Sequence, residues 1–350
     1  MLNNLGSTYL ENKIAMWGPT NAGKDWLFKA FPQELLWYNR KYPDFRYELF
    51  YPDPDGGDNL QRVYPVPPQE RDNRLGVVPS VHPEDYEFIF RRSIVKELDD
   101  ESHRISAYSH YIKIQNDAGG NLIDFIDNRV QFEQTYIRVV TSPYVFIILD
   151  PIFSPKLAIS TQPNQASEVI NDPTLDDDVL ERMLQDDQSS LQGHSPLAES
   201  GGLRKDQYHS LLRMLLDILA DHPLPKRYLA VCMTKMDQES LSGEPWGLLQ
   251  QVFGDQIYQL FNLNRTTFEI EVFASSAAGY RLYNHRNVPN IVNNQIADVN
   301  QWIPINVAAP FFWIFQQLEL QNLTQRPGSI FRRSNVNKYI PYPRRIFHAR

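Results

Sequence analysis

The run Ile14–Phe28, IAMWGPTNAGKDWLF, governs how the rest of the chain is read. Lys13 to Trp17 is a short apolar strand. It runs straight into Gly18-Pro-Thr-Asn-Ala-Gly23-Lys24, the spacing of a phosphate-binding loop. A helix starts after Lys24. A glycine-rich turn between a buried strand and a helix gathers backbone N–H groups around an anion, and the helix N-terminus adds partial positive charge. Gly18 and Gly23 allow the tight turn and close approach of phosphates. Asn21 and Ala22 lie inside the turn, and Lys24 would reach the outer phosphates as a point charge. The next position, where a Ser or Thr normally ligates magnesium, is Asp25. Its carboxylate is a hard oxygen ligand for a cation. Without a cation it repels a phosphate, at a cost of about 1–4 kcal/mol for charges ~4 Å apart.

Outward from this loop, strand-like and helix-like runs alternate. The helix after Lys24 meets Pro32, and QELLWYNRKY continues it as a second piece beyond a kink. Residues 43–84, rich in Pro, Asp, Gly and Arg, read as an irregular insertion. DYEFIFRRSI and ISAYSHYIKIQND alternate apolar and polar residues and are close enough to pair antiparallel. YVFIILD and RYLAVCMTK are continuous apolar runs, the pattern of strands buried on both faces. Residues 154–203 are acidic and then Ser/Gly/Gln-rich, and read as a flexible insertion. KDQYHSLLRMLLDILADH and PWGLLQQVFGDQIYQLFN each read as one helix, FEIEVFASS as the last strand, and VAAPFFWIFQQLELQ as a final helix packed on the sheet through Phe311, Phe312, Trp313 and Phe315. The order predicts an α/β fold: a mostly parallel sheet, one antiparallel edge strand, and helices on both faces.

Three further motifs close predicted strands. Asp117-Ala-Gly-Gly120 could hold a magnesium ion through water with Asp117 and offer the Gly120 N–H to a terminal phosphate. Thr234-Lys-Met-Asp237 could read guanine, whose N1–H and 2-amino group both donate to a carboxylate. Adenine offers an acceptor there and no 2-amino group, so it would leave Asp237 unpaired. The stem of Lys235 could cover the base plane. Ser275-Ser276-Ala277 is small enough for a backbone N–H to reach the guanine carbonyl. Each motif alone is common. All four lie at the carboxyl ends of strands, where open α/β sheets bind ligands.

In that order GPTNAGKD, DAGG, TKMD and SSA resemble the motifs of the translation-factor-related, Ras-like P-loop GTPases. The resemblance spans residues 11–321 as one GTPase-like domain and leaves 322–350 as a basic tail. It implies GTP or GDP with magnesium at the strand ends. Lys24 would hold phosphates, Asp117 the metal, Gly120 the terminal phosphate, Asp237 the base and Ala277 its carbonyl. The sequence departs from the pattern at Asp25, and no Thr occurs between Thr20 and Thr135 to supply the usual switch ligand. Ser80 is the substitute. Asn121 replaces the Gln that orients the attacking water and is one methylene shorter. The overall pattern is also similar to bacterial GTPase-like proteins that accompany signalling or defence genes.

Composition sets outer bounds. At 42% hydrophobic the 350 residues can bury a large core, and a single cysteine, Cys232, excludes both an intrachain disulfide and a thiolate cluster. No secretory leader and no apolar run of membrane-spanning length is visible, so a cytoplasmic protein is expected. Net charge is −8, but residues 326–350 carry six Arg, Lys338 and no acid, +7 in all, which leaves −15 elsewhere. The tail either docks on the acidic body or reaches a partner. Protein, anionic lipid and nucleic acid are the candidates. Two functions follow: a slow or conditional GTPase switch, or a catalytically inactive scaffold that keeps the fold. An ATPase built on Asp150 competes with both, but Asp117 already fills the metal position in the motif order.

Overall fold

The computed structural model describes residues 13–19, 22–52, 60–63, 84–98, 101–116, 133–151, 205–238, 242–292 and 295–324. An eight-stranded sheet dominates. Its strands are β1 (Lys13–Trp17), β2 (Phe45–Tyr51), β3 (Gln61–Arg62), β4 (Glu84–Leu98), β5 (Glu101–Asn116), β6 (Tyr144–Leu149), β7 (Tyr228–Met233) and β8 (Glu269–Ala274), in spatial order β3-β2-β4-β5-β1-β6-β7-β8. From β5 to β8 all neighbours are parallel; β3, β2, β4 and β5 pair antiparallel. The expectation of a single antiparallel edge strand is therefore corrected. The pair β4–β5 is longer than expected, and β2 and β3 extend the sheet beyond it.

Helices α1 (Lys24–Lys41), α2 (Glu133–Thr141), α3 (Lys205–Asp221), α4 (Pro245–Phe253), α5 (Asp255–Asn264) and α6 (Ala309–Thr324) cover both faces. The period-2 alternation of the strands assigns the faces. Ile14, Met16, Phe146, Ile148, Ala230 and Cys232 pack with α1 and α6, whereas Ala15, Trp17, Ile147, Leu149, Val231 and Met233 pack with α2 to α5. Every residue of β6 and β7 is buried, which is why those runs carry no polar alternation. The aromatic face of α6 meets α1 and the sheet, with Phe311 stacked on Phe31 at 4.4 Å and Phe315 on Phe90 at 4.0 Å. Each such ring contributes about 1.5–3 kcal/mol on burial.

Three local readings change. Helix α1 runs unbroken through Pro32, at the loss of one backbone hydrogen bond; the burial of Phe31, Leu35 and Tyr38 around it offsets the loss. The single helix expected over 245–262 is two, because Gly254 at φ 91° and ψ 170° turns the chain between α4 and α5. Residues 43–84, expected to be irregular, contain β2 and β3. The backbone edge of β2 at Tyr47 is covered by the Asn39 side chain, which donates Nδ2 to the Tyr47 carbonyl (2.8 Å) and accepts the Tyr47 N–H (2.7 Å). That cover comes from α1 and leaves no trace in the strand's own pattern.

A buried ionic cluster ties α6 to the antiparallel strands. Arg92 of β4 donates Nη2 to Glu319 at 2.7 Å, and His110 of β5 lies 3.3 Å from the same carboxylate. Burial pushes the Glu319 carboxyl up, but the His110 hydrogen bond and the Arg92 charge outweigh it and hold it below its ordinary value. Among the described residues no helix is long and apolar enough to cross a membrane.

Candidate functional site

Register places the carboxyl ends of β1, β6, β7 and β8 in one row. Trp17 is level with Ile147, Leu149 with Met233, and Met233 with Ala274. Thus Gly18, Asp150, Thr234 and Ser275 leave four parallel strands at neighbouring points of one edge. Met16 is level with Asn116, the last residue of β5. Chain direction diverges here: β1 leads through α1 toward β2, while β6 leads through α3 toward β7 on the other side. Such a divergence opens a crevice at the carboxyl ends of the strands.

The glycine loop sits tight against β6. A Cβ on Gly18 would lie 2.7 Å from the Ile148 carbonyl oxygen, so only glycine fits. Gly23 takes the left-handed conformation (φ 85°) at the start of α1. Lys24 is buried, and its ammonium donates to the carbonyls of Gly18 (2.9 Å) and Pro19 (3.0 Å). The charge is thus curled back over the loop that precedes it. Asp25 stands in the first turn of α1, half-buried, where the helix dipole favours an acid.

Thr234 joins the loop to the neighbouring strands. Its hydroxyl donates to the Ala22 carbonyl at 2.5 Å, and its N–H donates to Leu149 O at 3.0 Å. Lys235 follows in left-handed backbone (φ 53°), an uncommon conformation for a side-chain-bearing residue. Its ammonium is 2.7 Å from Asp150 Oδ2. Asp150, which the motif order left without a role, thus pairs with the lysine of the TKMD loop. The sequence signal was an acid ending a fully apolar strand.

Asp237 is 5% exposed. Burial pushes its carboxyl up from 3.8 to about 6, against the Ser276 hydroxyl hydrogen bond and the Lys235 charge, which both lower it. Ser276 is fully buried and accepts the Gly279 N–H at 2.7 Å. The Met236 N–H donates to Ser275 O at 3.1 Å, which fastens the two motifs together. The Ala277 carbonyl accepts the Trp302 indole N–H at 2.8 Å. The Tyr280 hydroxyl is buried with no hydrogen-bond partner among the described residues. Burial, and secondarily the Asp237 charge, raises its ionisation above the ordinary value. Nothing in the sequence marked Tyr280 or Trp302, because both act through loop packing.

Of the residues singled out from the sequence, Gly18, Ala22, Gly23, Lys24, Asp25, Thr234, Lys235, Asp237, Ser276 and Ala277 lie along this edge, and the contacts above join the glycine loop to the TKMD and SSA loops. Asn21, Ser80, Asp117, Gly120 and Asn121 lie outside the described residues, as does the 326–350 tail. Asp25 is thus the one described member of the expected magnesium set, and no group of three or more His, Cys, Asp or Glu side chains suited to a metal gathers among the described residues. A pocket lined by Pro223, Lys226, Arg227, Arg265 and Thr267 lies at the opposite edge, at the start of β7 and β8, away from every one of these motifs.

No family model and no curated protein matches the chain. Among solved structures it is similar to a chain of the "Signal recognition particle receptor SRb-GTP/SRX complex from Chaetomium thermophilum", with 14% identity and a TM-score of 0.35, over 76% of this chain and 91% of that one.

Proposed function

We propose that this chain is a Ras-like P-loop protein that binds a guanine nucleotide along the carboxyl edge of its sheet and works as a slow or conditional GTPase switch. One observation carries the reading. Lys24 and Asp237, separated by most of the chain, share one sheet edge, and Thr234 bonds the loop of the first to the strand of the second. A phosphate group would draw the Lys24 ammonium away from the neutral carbonyls of Gly18 and Pro19. The Asp237 carboxylate, desolvated and held by Ser276, would regain full pairing from the N1–H and 2-amino group of guanine. Lys235, steadied by Asp150, would lie over the base.

A magnesium ion held there would supply positive charge to offset that of the phosphates. The proposed ligands are Asp25, Asp117 and Ser80; the proposed phosphate and water contacts are Gly120 and Asn121. Among the described residues Asp25 alone belongs to that set, and Lys24 and Asp237 carry the reading.

Calorimetry with GTP, GDP and ATP, with and without magnesium, tests it on the full chain and on Lys24→Ala. Guanine nucleotides should bind, ATP should not, and Lys24→Ala should abolish binding. No heat and no thermal shift with millimolar GTP and magnesium would end the proposal. Ligand at 100 times its Kd stabilises by about 2.7 kcal/mol, a shift easily seen. A second reading, an interaction scaffold without turnover, draws on Asp25 at the metal-hydroxyl position in the first turn of α1. GTP turnover that disappears in Lys24→Ala would sink it.

A further inference from the structure

Glu34 is fully buried in α1, and both of its carboxylate oxygens are committed to a distant segment. Oε1 accepts the Asn306 N–H and Oε2 the Ala308 N–H, each at 2.7 Å, immediately ahead of α6. The first N–H groups of a helix have no partner within it, and its dipole favours an anion there. Beside it, Gln33 donates Nε2 to the Trp302 carbonyl at 3.0 Å. Helix α1 therefore grips residues 302–308 at three backbone points.

The same segment grips the SSA loop from its other side. Ser276 and Ile305 exchange both backbone hydrogen bonds, at 2.9 and 2.8 Å. The Trp302 indole donates to Ala277 O at 2.8 Å, and Asn306 Nδ2 to Ala274 O at 3.1 Å. Asn306 itself is held in left-handed backbone (φ 56°). Gly279 approaches so closely that a Cβ would lie 2.1 Å from the Ile303 carbonyl oxygen. A continuous chain of bonds thus leads from the helix that begins at Lys24, through Glu34, to Ser276, whose hydroxyl holds Asp237.

We propose that Glu34 is a positioning residue for base selection: it clamps residues 302–308 between α1 and the SSA loop, and so fixes Ser276 and Ala277 relative to the glycine loop. This rests on the guanine-nucleotide reading. Glu34 touches no nucleotide. Its effect is on the distance between the two ends of the site, so it bears on which base is accepted more than on how phosphate is held.

The test uses the full chain at pH 7.5, with GTP, ITP (which lacks the 2-amino group) and tripolyphosphate as probes. Glu34→Gln replaces one acceptor oxygen with an amide that faces a backbone N–H, donor against donor. The GTP-to-ITP preference should fall by about tenfold in Glu34→Gln, while tripolyphosphate affinity stays within about twofold. Gln33→Ala, which removes only the bond to Trp302, should shift the same ratio in the same direction by less, and decides the matter if Glu34→Gln does not fold. An unchanged ratio in both variants overturns the inference while leaving nucleotide binding intact. So does a common loss of affinity for all three probes that follows melting temperature, the mark of a purely structural cap. Wild-type protein that binds GTP no better than tripolyphosphate removes the guanine reading first, and this inference with it.

Discussion

Asp237→Asn should make the nucleotide-free protein more stable at neutral pH while weakening its hold on GTP. The carboxyl is 5% exposed and is pushed up from 3.8 to about 6, chiefly by burial. At 1.36 kcal/mol per pH unit, ionising it in the fold costs roughly 3 kcal/mol relative to the unfolded chain. The sign follows from linkage. The folded state takes up the proton first as pH falls, so the penalty is complete above about pH 6, shrinks between 6 and 3.8, and is gone below. Asparagine can still accept the Ser276 hydrogen bond and carries no charge. Its advantage over wild type should approach ~3 kcal/mol at pH 7.5 and vanish near pH 4. Urea midpoints of both proteins from pH 4 to 8 measure it. GTP affinity should meanwhile fall by about 100-fold, because one acceptor oxygen becomes a donor facing the base. A variant that is neutral or destabilised at pH 7.5, with no convergence toward acid, would show that Asp237 is not a strained, desolvated carboxylate.

Three more outcomes are expected. Gly18→Ala sets a Cβ against the backbone of Ile148 and should cost about 1–3 kcal/mol in chemical denaturation; a neutral result would mean the loop stands further from β6. Asp25→Ser gives up a helix-dipole contribution of about 0.3–1 kcal/mol, so its melting temperature should drop slightly, yet GDP affinity without magnesium should rise as like-charge repulsion is relieved. Weaker, metal-insensitive binding in calorimetry would instead make Asp25 a cation ligand. Glu319→Gln leaves buried Arg92 with a neutral partner and should cost about 3–5 kcal/mol. Because the Glu319 carboxyl is held below its ordinary value, wild type keeps that contribution at neutral pH and loses it as pH falls through the carboxylate range. The gap between the two proteins, followed by urea denaturation, should therefore close toward acid.

The parallel half of the sheet was legible because its causes are local. β6 and β7 are uninterrupted apolar runs since both their faces are covered, and the glycine loop follows β1 since only glycine tolerates the approach to Ile148. The glycine loop, TKMD and SSA could be ordered along one edge because each follows the end of a strand. Strand β2 was obscured, since its outer edge is closed by Asn39 of α1, outside the strand's own alternation. The break at Gly254 was hidden inside a continuous helical pattern that extends across it.

The sequence by itself determined which residue types end each strand. Only the tertiary structure decided that Asp150 pairs with Lys235, that Thr234 bonds the glycine loop, and that Glu34 reaches the start of α6. Side chains can meet at hydrogen-bonding distance across hundreds of residues of chain. Periodicity reports only the face a residue occupies, whereas register and helix packing decide what it meets there.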